Sequence, residues 1–284
     1  MSKKAGETDT RSVSFIMGVY KESPSECAAA IQNMLDQTLS PLEVVVVVDD
    51  PENVAVREML EKWQAREARL RVVVHEENRG LGAALNTAAR EARGQWLARM
   101  DVNDEAAADR LAKQVEHIEQ HPDTDLLFTQ WRERYEDGST AERRPARSDV
   151  RNIHKNFFIK SILLHPTLLI RREIIRTHSY TEMARPEDFV LFLELIRTGY
   201  HFDLVPEILY TYSVDRSERY QKIRTYSRNL LPQLARNIRY YWNNIWFWFY
   251  LLRITGEYLV SRNRTIFNLT HRTAARAWKA VSRG

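Results

Sequence analysis

The sequence predicts an α/β fold: a mostly parallel central sheet flanked by helices, followed by a helical, basic C-terminal extension. Three observations predict it. Apolar strand runs and amphipathic helical segments alternate at intervals of roughly 20 to 30 residues over the first third of the chain. The second run, Leu42–Val48, ends in five consecutive valines, a β-branched stretch without alternation that suits a central strand buried on both faces. The charge is also divided. Residues 216–284 hold 14 Lys/Arg against two acids, Glu218 and Glu257, so a net charge of +4 hides +12 there and −8 in residues 1–215.

The elements follow in order. Residues 13–17 form a buried strand that ends at Gly18. Ser23, Pro24 and Glu26 make a capping box with proline at the first helical position, and Cys27, Ile31, Met34 and Leu35 mark the buried face of the helix they open. After the valine strand comes a helix with Val56, Met59, Leu60 and Trp63 on one side. Leu70–Val74 is the third strand, and Asn78-Arg79-Gly80 is a turn into a helix that carries Leu81, Ala84, Leu85 and Ala88. Residues 95–100 are the fourth strand, and a helix marked by Leu111, Val115 and Ile118 stops near His121-Pro122. The middle is less regular. Residues 125–135 read as a hairpin arm turning at Asp137-Gly138, residues 141–149 as a mobile polar loop, and residues 162–170 as a strand broken at His165-Pro166. A helix with Phe189, Phe192, Leu193 and Ile196 ends at Gly199.

Composition excludes several classes. The chain has 284 residues, 44% hydrophobic and 28% charged, and its 7 Trp, 12 Tyr and 10 Phe supply ample core material, which excludes disorder throughout. Its one cysteine, Cys27, excludes an internal disulfide or a cysteine zinc site and points to a reducing, cytoplasmic compartment. Residues 1–11 read as a polar tail without a signal core, and no run of 18 apolar residues predicts a membrane span. The expected organisation is therefore a tail over 1–11, an α/β domain over 12–215 and a basic aromatic helical extension over 216–284.

In an open parallel sheet, ligands bind beyond the carboxyl ends of the strands. Three predicted strands end in polar groups: Gly18-Val19-Tyr20, Asp49-Asp50, and Asp101-Val102-Asn103-Asp104. If these strands are neighbours, an aromatic face, a carboxylate for a base or ribose, and oxygen ligands for a hard cation share one cleft, the makings of a nucleotide-diphosphate site. Each strand-end acid is also a normal turn former, and Asp104 reads equally well as a cap for the next helix.

Together these blocks resemble the family 2 glycosyltransferases, which have the Rossmann-like GT-A fold. The resemblance covers residues 12–215. It rests on residues 12–20, on Gln37-Thr38 with the valine strand into Asp49-Asp50, and on residues 78–86 (Asn-Arg-Gly-Leu-Gly-Ala-Ala-Leu-Asn). It rests further on residues 98–104 (Ala-Arg-Met-Asp-Val-Asn-Asp) with Asp109-Arg110-Leu111 and Gln114, and on residues 186–193 (Pro-Glu-Asp-Phe-Val-Leu-Phe-Leu). The subgroup it resembles most is the bacterial exopolysaccharide galactosyltransferases of the amylovoran and colanic-acid type.

The resemblance implies transfer of a sugar, with inversion, from a nucleotide-sugar donor, a UDP-sugar, to a glycan or lipid-linked acceptor in surface polysaccharide synthesis, with Mn²⁺ or Mg²⁺ as cofactor. It implies that Gly18, Val19 and Tyr20 border the base, that Asp50 beside Asp49 accepts a hydrogen bond from it, and that Glu22 reaches base or ribose. Arg79 lies near the diphosphate or the nucleotide, Asn78 is counted among the donor-binding residues, Asp101 and Asn103 take the metal positions, and Asp188 is the general base. Glu187 and His165 fall on the acceptor side. Asn103 stands where the family carries aspartate, which removes one negative charge from the metal motif unless Asp104 or the donor diphosphate compensates. A noncatalytic nucleotide-sugar- or membrane-binding relative is the alternative. Read without the resemblance, Asp188 also fits a first-turn helix acid, and His165 fits a core histidine equally well.

The aromatic run at residues 240–252, bracketed by Arg239 and Arg253, suits the lipid headgroup region. It predicts peripheral docking on the anionic inner leaflet. Packing on protein, including a second copy in a homodimer, stays open beside it. No nucleic-acid module accompanies the basic residues, so no nucleic-acid partner is expected.

Overall fold

A computed structural model describes residues 12–39, 42–159, 162–182, 186–214 and 219–263. The expected tail over 1–11 and the end of the expected extension, from 264 onward, lie outside the described residues. The chain divides into two compact units, residues 1–183 with 187–214, and residues 184–186 with 215–284.

The first unit runs β1 (Val13–Val19), α1 (Pro24–Leu35), β2 (Leu42–Val48), α2 (Val54–Gln64), β3 (Leu70–Val74), α3 (Leu81–Glu91), β4 (Trp96–Arg99), β5 (Glu105–Ala106) and α4 (Arg110–Gln120). It continues through β6 (Leu126–Tyr135), β7 (Thr140–Arg143), α5 (Arg147–Arg151), α6 (Ile153–Asn156), a 3₁₀ turn at His165–Thr167, β8 (Leu169–Arg171), α7 (Arg172–Thr177), α8 (Glu187–Thr198) and β9 (Phe202–Val214). The strands form one mixed sheet in the order β3-β2-β1-β4-β8-β6-β9-β5, with β7 paired to β6. The four strands that carry the predicted motifs are mutually parallel, and β8 is the first antiparallel neighbour.

The valine run explains the layering. Val44, Val46 and Val48 enter one core with α1, α2 and α4, while Val45 and Val47 enter the other with α3, α7 and α8. Successive side chains of a strand face opposite sides, so only an unbroken apolar run can feed two cores at once. All five valines are fully buried, each contributing about 1.5–3 kcal/mol of apolar burial. The predicted capping box at Ser23 and Glu26 is formed, and Gly138 and Gly199 take left-handed φ values of +78° and +89° where the turn and the helix stop were expected.

Residues 141–149 depart from the expected loop. Residues 140–143 pair with β6 as β7, and Arg147 opens α5. Their arginines have partners: Arg143 bonds Glu133, Arg144 bonds Glu142, and Arg147 grips Asp203 of β9 through two bonds of 2.7 and 2.6 Å. Arg147 is ordered by a partner far along the chain, Asp203, whereas β7 meets β6 across the turn at Asp137-Gly138, with polar side chains that hide the strand pattern.

The second unit contains α9 (Arg219–Tyr241) and α10 (Ile245–Ser261), which pack against each other. Leu230 and Leu234 of α9 and Phe247 and Ile254 of α10 are fully buried.

Asp203 yields a pH prediction. Burial opposes its charge, but the hydrogen bonds from Arg147 and His117 and the backbone N–H of Leu204 outweigh that and hold the carboxyl well below its ordinary value. A depressed folded-state value stabilises above the unfolded value, near 4, and that stability is lost as pH falls below it. The difference in melting temperature between the wild type and Asp203→Asn is therefore expected to be largest at neutral pH and to shrink steadily below about pH 4; a constant difference contradicts the assignment.

Candidate active site

The ends of β2, β1 and β4 lie side by side. Val19 is in register with Val48, and Ile16 with both Val45 and Arg99, so residues 49–50, 20–22 and 100–104 leave the sheet at one edge. Tyr20 is 41% exposed there. The turn carrying it is braced: the Glu22 carboxylate accepts from the Tyr20 N–H at 2.7 Å, and the Asn53 amide donates to the Glu22 carbonyl at 3.1 Å while its oxygen caps α2 at Val56. Asp50 is partly exposed beside this turn, and its carboxylate accepts from the Glu52 N–H.

Asp49 points inward. It is buried, and its carboxylate accepts from the Arg79 N–H at 3.0 Å, the Gly80 N–H at 2.7 Å and the His75 Nδ1 at 2.7 Å. The far nitrogen of His75 meets the Thr87 hydroxyl at 2.9 Å, and Arg90 donates to that same hydroxyl oxygen. Asp49 therefore holds the 78–80 turn in place rather than presenting a carboxylate to the open edge. Asn78 and the Arg79 side chain remain exposed, with Arg79 reaching Glu182 at 3.1 Å.

The glycines of that turn have separate duties. Gly80 adopts φ +86° at the start of α3, a conformation that favours glycine. A Cβ on Gly82 would stand 2.2 Å from the Thr181 carbonyl oxygen, so only hydrogen fits where α3 meets that segment. Asn86 clasps the same segment through Oδ1 to Tyr180 N at 2.9 Å and Nδ2 to Tyr180 O at 2.8 Å. Gly18, at the end of β1, presses on Leu81 and Ala84 of α3, and Val19 is buried.

At the end of β4, Arg99 is buried and donates to the Asp101 carboxylate at 2.5 Å. Burial works against its charge, but Asp101, with Glu187 farther off, keeps the guanidinium firmly protonated. Its Nε has no partner among the described residues. Arg110, also buried, donates to the Arg99 carbonyl from beneath. Asp104 is buried and committed: Tyr210 donates its hydroxyl at 2.9 Å and Ser213 its N–H at 2.8 Å. Burial, then repulsion from Asp101, raises its carboxyl to about 7. Asp104 is thus not available to replace the missing carboxylate at position 103. Asn103 is exposed, and its carbonyl accepts from the Ser213 hydroxyl at 2.5 Å.

What remains open for a cation is one carboxylate, Asp101, and one amide oxygen, Asn103. No group of three or more metal-binding side chains exists among the described residues. Oxygen-only donors suit Mg²⁺ or Mn²⁺, which commonly bind through one or two carboxylates and share the rest of their shell with substrate phosphates. The residues fit such an ion, with the shell completed by a ligand.

The first turn of α8 joins this region. The Tyr180 hydroxyl lies within the fields of Arg99, Asp188, Glu187 and Asp101, and burial raises its pKa first of all. Asp188 is partly exposed and its carboxylate accepts from the Phe189 N–H; Glu187 is buried. His165 is a core histidine: it is buried, it meets the Tyr180 hydroxyl at 2.8 Å, and burial followed by Arg99 pushes its pKa well below the ordinary value. The structure therefore gathers Tyr20, Glu22, Asp50, Asp101 and Asn103 along one sheet edge, brings Glu187 of α8 and Asp101 into the electrostatic reach of the same two groups, Arg99 and Tyr180, and withdraws Asp49 and His165. His75 and Tyr180 are framework residues that the sequence reading passes over, and Asn86 and Arg99 stand in its motif blocks without a role. Arg99 carries a local signal, an arginine closing an otherwise apolar strand.

The profile of Glycosyl transferase family 2 matches residues 14–179. An uncharacterized glycosyltransferase of Methanocaldococcus jannaschii, MJ1057, is 30% identical over 249 residues, 86% of each chain. The Escherichia coli UDP-Gal:alpha-D-GlcNAc-diphosphoundecaprenol beta-1,3-galactosyltransferase is 26% identical over 207 residues, 71% of this chain and 74% of that one. Among solved structures, the Pyrobaculum calidifontis mannosyltransferase PcManGT in complex with GDP-Man and Mn²⁺ superposes with TM-score 0.63 at 19% identity, covering 94% of this chain and 80% of that one, a likeness of fold.

Asp49→Asn replaces one accepting oxygen with an amide donor and leaves the part-buried N–H of Arg79 or Gly80 without its partner. Urea unfolding is expected to show a loss of about 2 kcal/mol, with faster amide exchange at those two residues. Unchanged exchange there contradicts the bracing role.

Proposed function

The chain belongs to glycosyl transferase family 2, and from that premise we propose that it moves a sugar from a UDP-sugar to a glycan or lipid-linked acceptor, with inversion, in a reaction aided by Mn²⁺ or Mg²⁺. The observation that carries the proposal is the shared edge of β2, β1 and β4, where an aromatic ring, a carboxylate and a carboxylate–amide oxygen pair open together. Acceptor chemistry is supported by the E. coli relative, whose name specifies a UDP-sugar and a diphosphoundecaprenol-linked acceptor. The setting this suggests is bacterial surface polysaccharide synthesis at the cytoplasmic face of the membrane.

In this reading Tyr20 packs against the base, Asp50 accepts a hydrogen bond from it, and Glu22 faces base or ribose. The 78–80 turn lies along the diphosphate. Asp101 and Asn103 would hold a divalent cation, which would supply positive charge to the departing diphosphate. Asp188 takes the proton from the acceptor hydroxyl as its oxygen attacks the anomeric carbon; the bond to the diphosphate breaks on the opposite face and the nucleoside diphosphate leaves. Arg99 acts at one remove, fixing the orientation of Asp101. Glu187, buried beside Asp188, shapes the acceptor side.

Asn103 together with the committed Asp104 favours one second reading, a relative that binds donor without turning it over. Mn²⁺-dependent hydrolysis of UDP-sugars separates the two, because a noncatalytic binder releases no UDP.

Asp188→Asn preserves shape and removes the base. Its turnover is expected to fall by about 10²- to 10⁴-fold while donor affinity, followed by calorimetry, stays within a factor of about two. Retained turnover refutes the assignment.

A further inference from the structure

Helix α10 is apolar on two opposite sides. Phe247, Tyr250, Ile254 and Ser261 are buried and recur at helical spacing, forming the side packed within its own unit. Ile245, Phe249, Leu252 and Leu259 recur at the same spacing on the other side and are 61%, 56%, 68% and 58% exposed. Trp242, Trp246 and Trp248 are exposed next to this stripe. A helix apolar all round is normally buried, and an exposed stripe of this length exceeds the scattered apolar residues of an ordinary surface. Something is built to cover it.

The charge of the unit identifies what. Among its described residues whose side chains are placed, Arg253 and Arg262 at α10 and Arg224, Arg228, Arg236 and Arg239 on α9 are all exposed, and the one acid is Glu257, at 3.9 Å from Arg253. Arg239 and Arg253 lie over the rings of Tyr240 and Tyr250. Aliphatic residues for the acyl boundary, tryptophans for the headgroup level and arginines for lipid phosphates are the three components of a helix that lies in the plane of an anionic bilayer. Spanning is excluded for α10. At 17 residues it measures about 25 Å, and no helix among the described residues is long and apolar enough to cross a membrane.

We infer that α10 docks flat on an anionic lipid surface through the Ile245, Phe249, Leu252 and Leu259 stripe, with its tryptophans at headgroup depth. This holds the enzyme at the plane where a lipid-linked acceptor presents its sugar. The inference does not depend on the catalytic assignment, since the stripe contains none of the residues proposed to bind donor or metal.

The test uses the full chain and phosphatidylcholine vesicles with and without phosphatidylglycerol. The wild type is expected to float with the anionic vesicles, to show a blue shift of tryptophan emission, and to lose binding as salt is raised. Phe249→Ser/Leu252→Ser/Leu259→Ser is expected to weaken vesicle binding by about ten-fold or more while keeping its circular dichroism and its hydrolysis of soluble donor. Phe249→Leu/Leu252→Ile, which keeps the apolar stripe, is expected to bind as the wild type does and guards against a folding artefact. Three results overturn the proposal: no flotation of the wild type, flotation that survives the triple serine variant, or a wild-type dimer in light scattering that the serine variant converts to monomer without any lipid binding by either.

Discussion

The Asp49 carboxylate is the point on which the arrangement of the site depends. It sits at the end of the valine strand and binds two consecutive amides, those of Arg79 and Gly80, at the start of α3. His75 and Thr87 fix its orientation from the other side. This places the 78–80 turn beside the β2 end and leaves Asp50 as the carboxylate of that pair on the accessible edge. From the same turn, α3 runs close against β1 at Gly18 and against the Tyr180–Thr181 segment at Gly82, where Asn86 completes the contact. The run from Asn78 to Asn86 is thus chiefly a piece of framework: it ties β1, β2 and the approach to α8 into one rigid rim.

The opposite end of the rim is organised by charge. Two arginines, Arg99 and Arg110, are buried beneath the β4 end, and three acids, Asp101, Asp104 and Glu187, are arranged about them. Arg99 engages Asp101 directly, while Asp104 is drawn down to Tyr210 and Ser213 of β9. The division of labour within residues 101–104 follows: Asp101 and Asn103 face outward, and Asp104 anchors the turn. A site with one carboxylate and one amide has little affinity for a divalent ion by itself and needs the phosphates of the donor to complete the shell. On the proposed function, metal and donor would bind as a pair.

Much of this was legible in the sequence wherever the signal is local. Five consecutive valines announce a strand buried twice over, Ser23-Pro24-Ser25-Glu26 announces a helix start, and the polar ends of three strands announce a shared cleft once the strands are known to be parallel neighbours. What was not legible depends on contacts across long stretches of chain. Nothing local tells which of Asp49 and Asp50 turns inward; that is decided by where the 78–80 turn returns. The difference between Asp101 and Asp104 is decided by β9, more than a hundred residues later. Arg143, Arg144 and Arg147 read as a hydrophilic loop because Glu133, Glu142 and Asp203, which order them, come together only in the folded sheet. His165 is withdrawn into the core by Tyr180, whose own place is set by Asn86.

The central claim is that the Asp101–Asn103 edge binds a divalent cation jointly with the diphosphate of a nucleotide donor. Calorimetric titration of UDP into the full chain, with Mn²⁺ and with chelator, tests it most directly when repeated on Asp101→Ala. The account predicts weak binding of Mn²⁺ alone, UDP affinity raised by about ten-fold or more when Mn²⁺ is present, and loss of that gain in the variant. Equal UDP affinity with and without the metal, or a gain that persists without the Asp101 carboxylate, would contradict it.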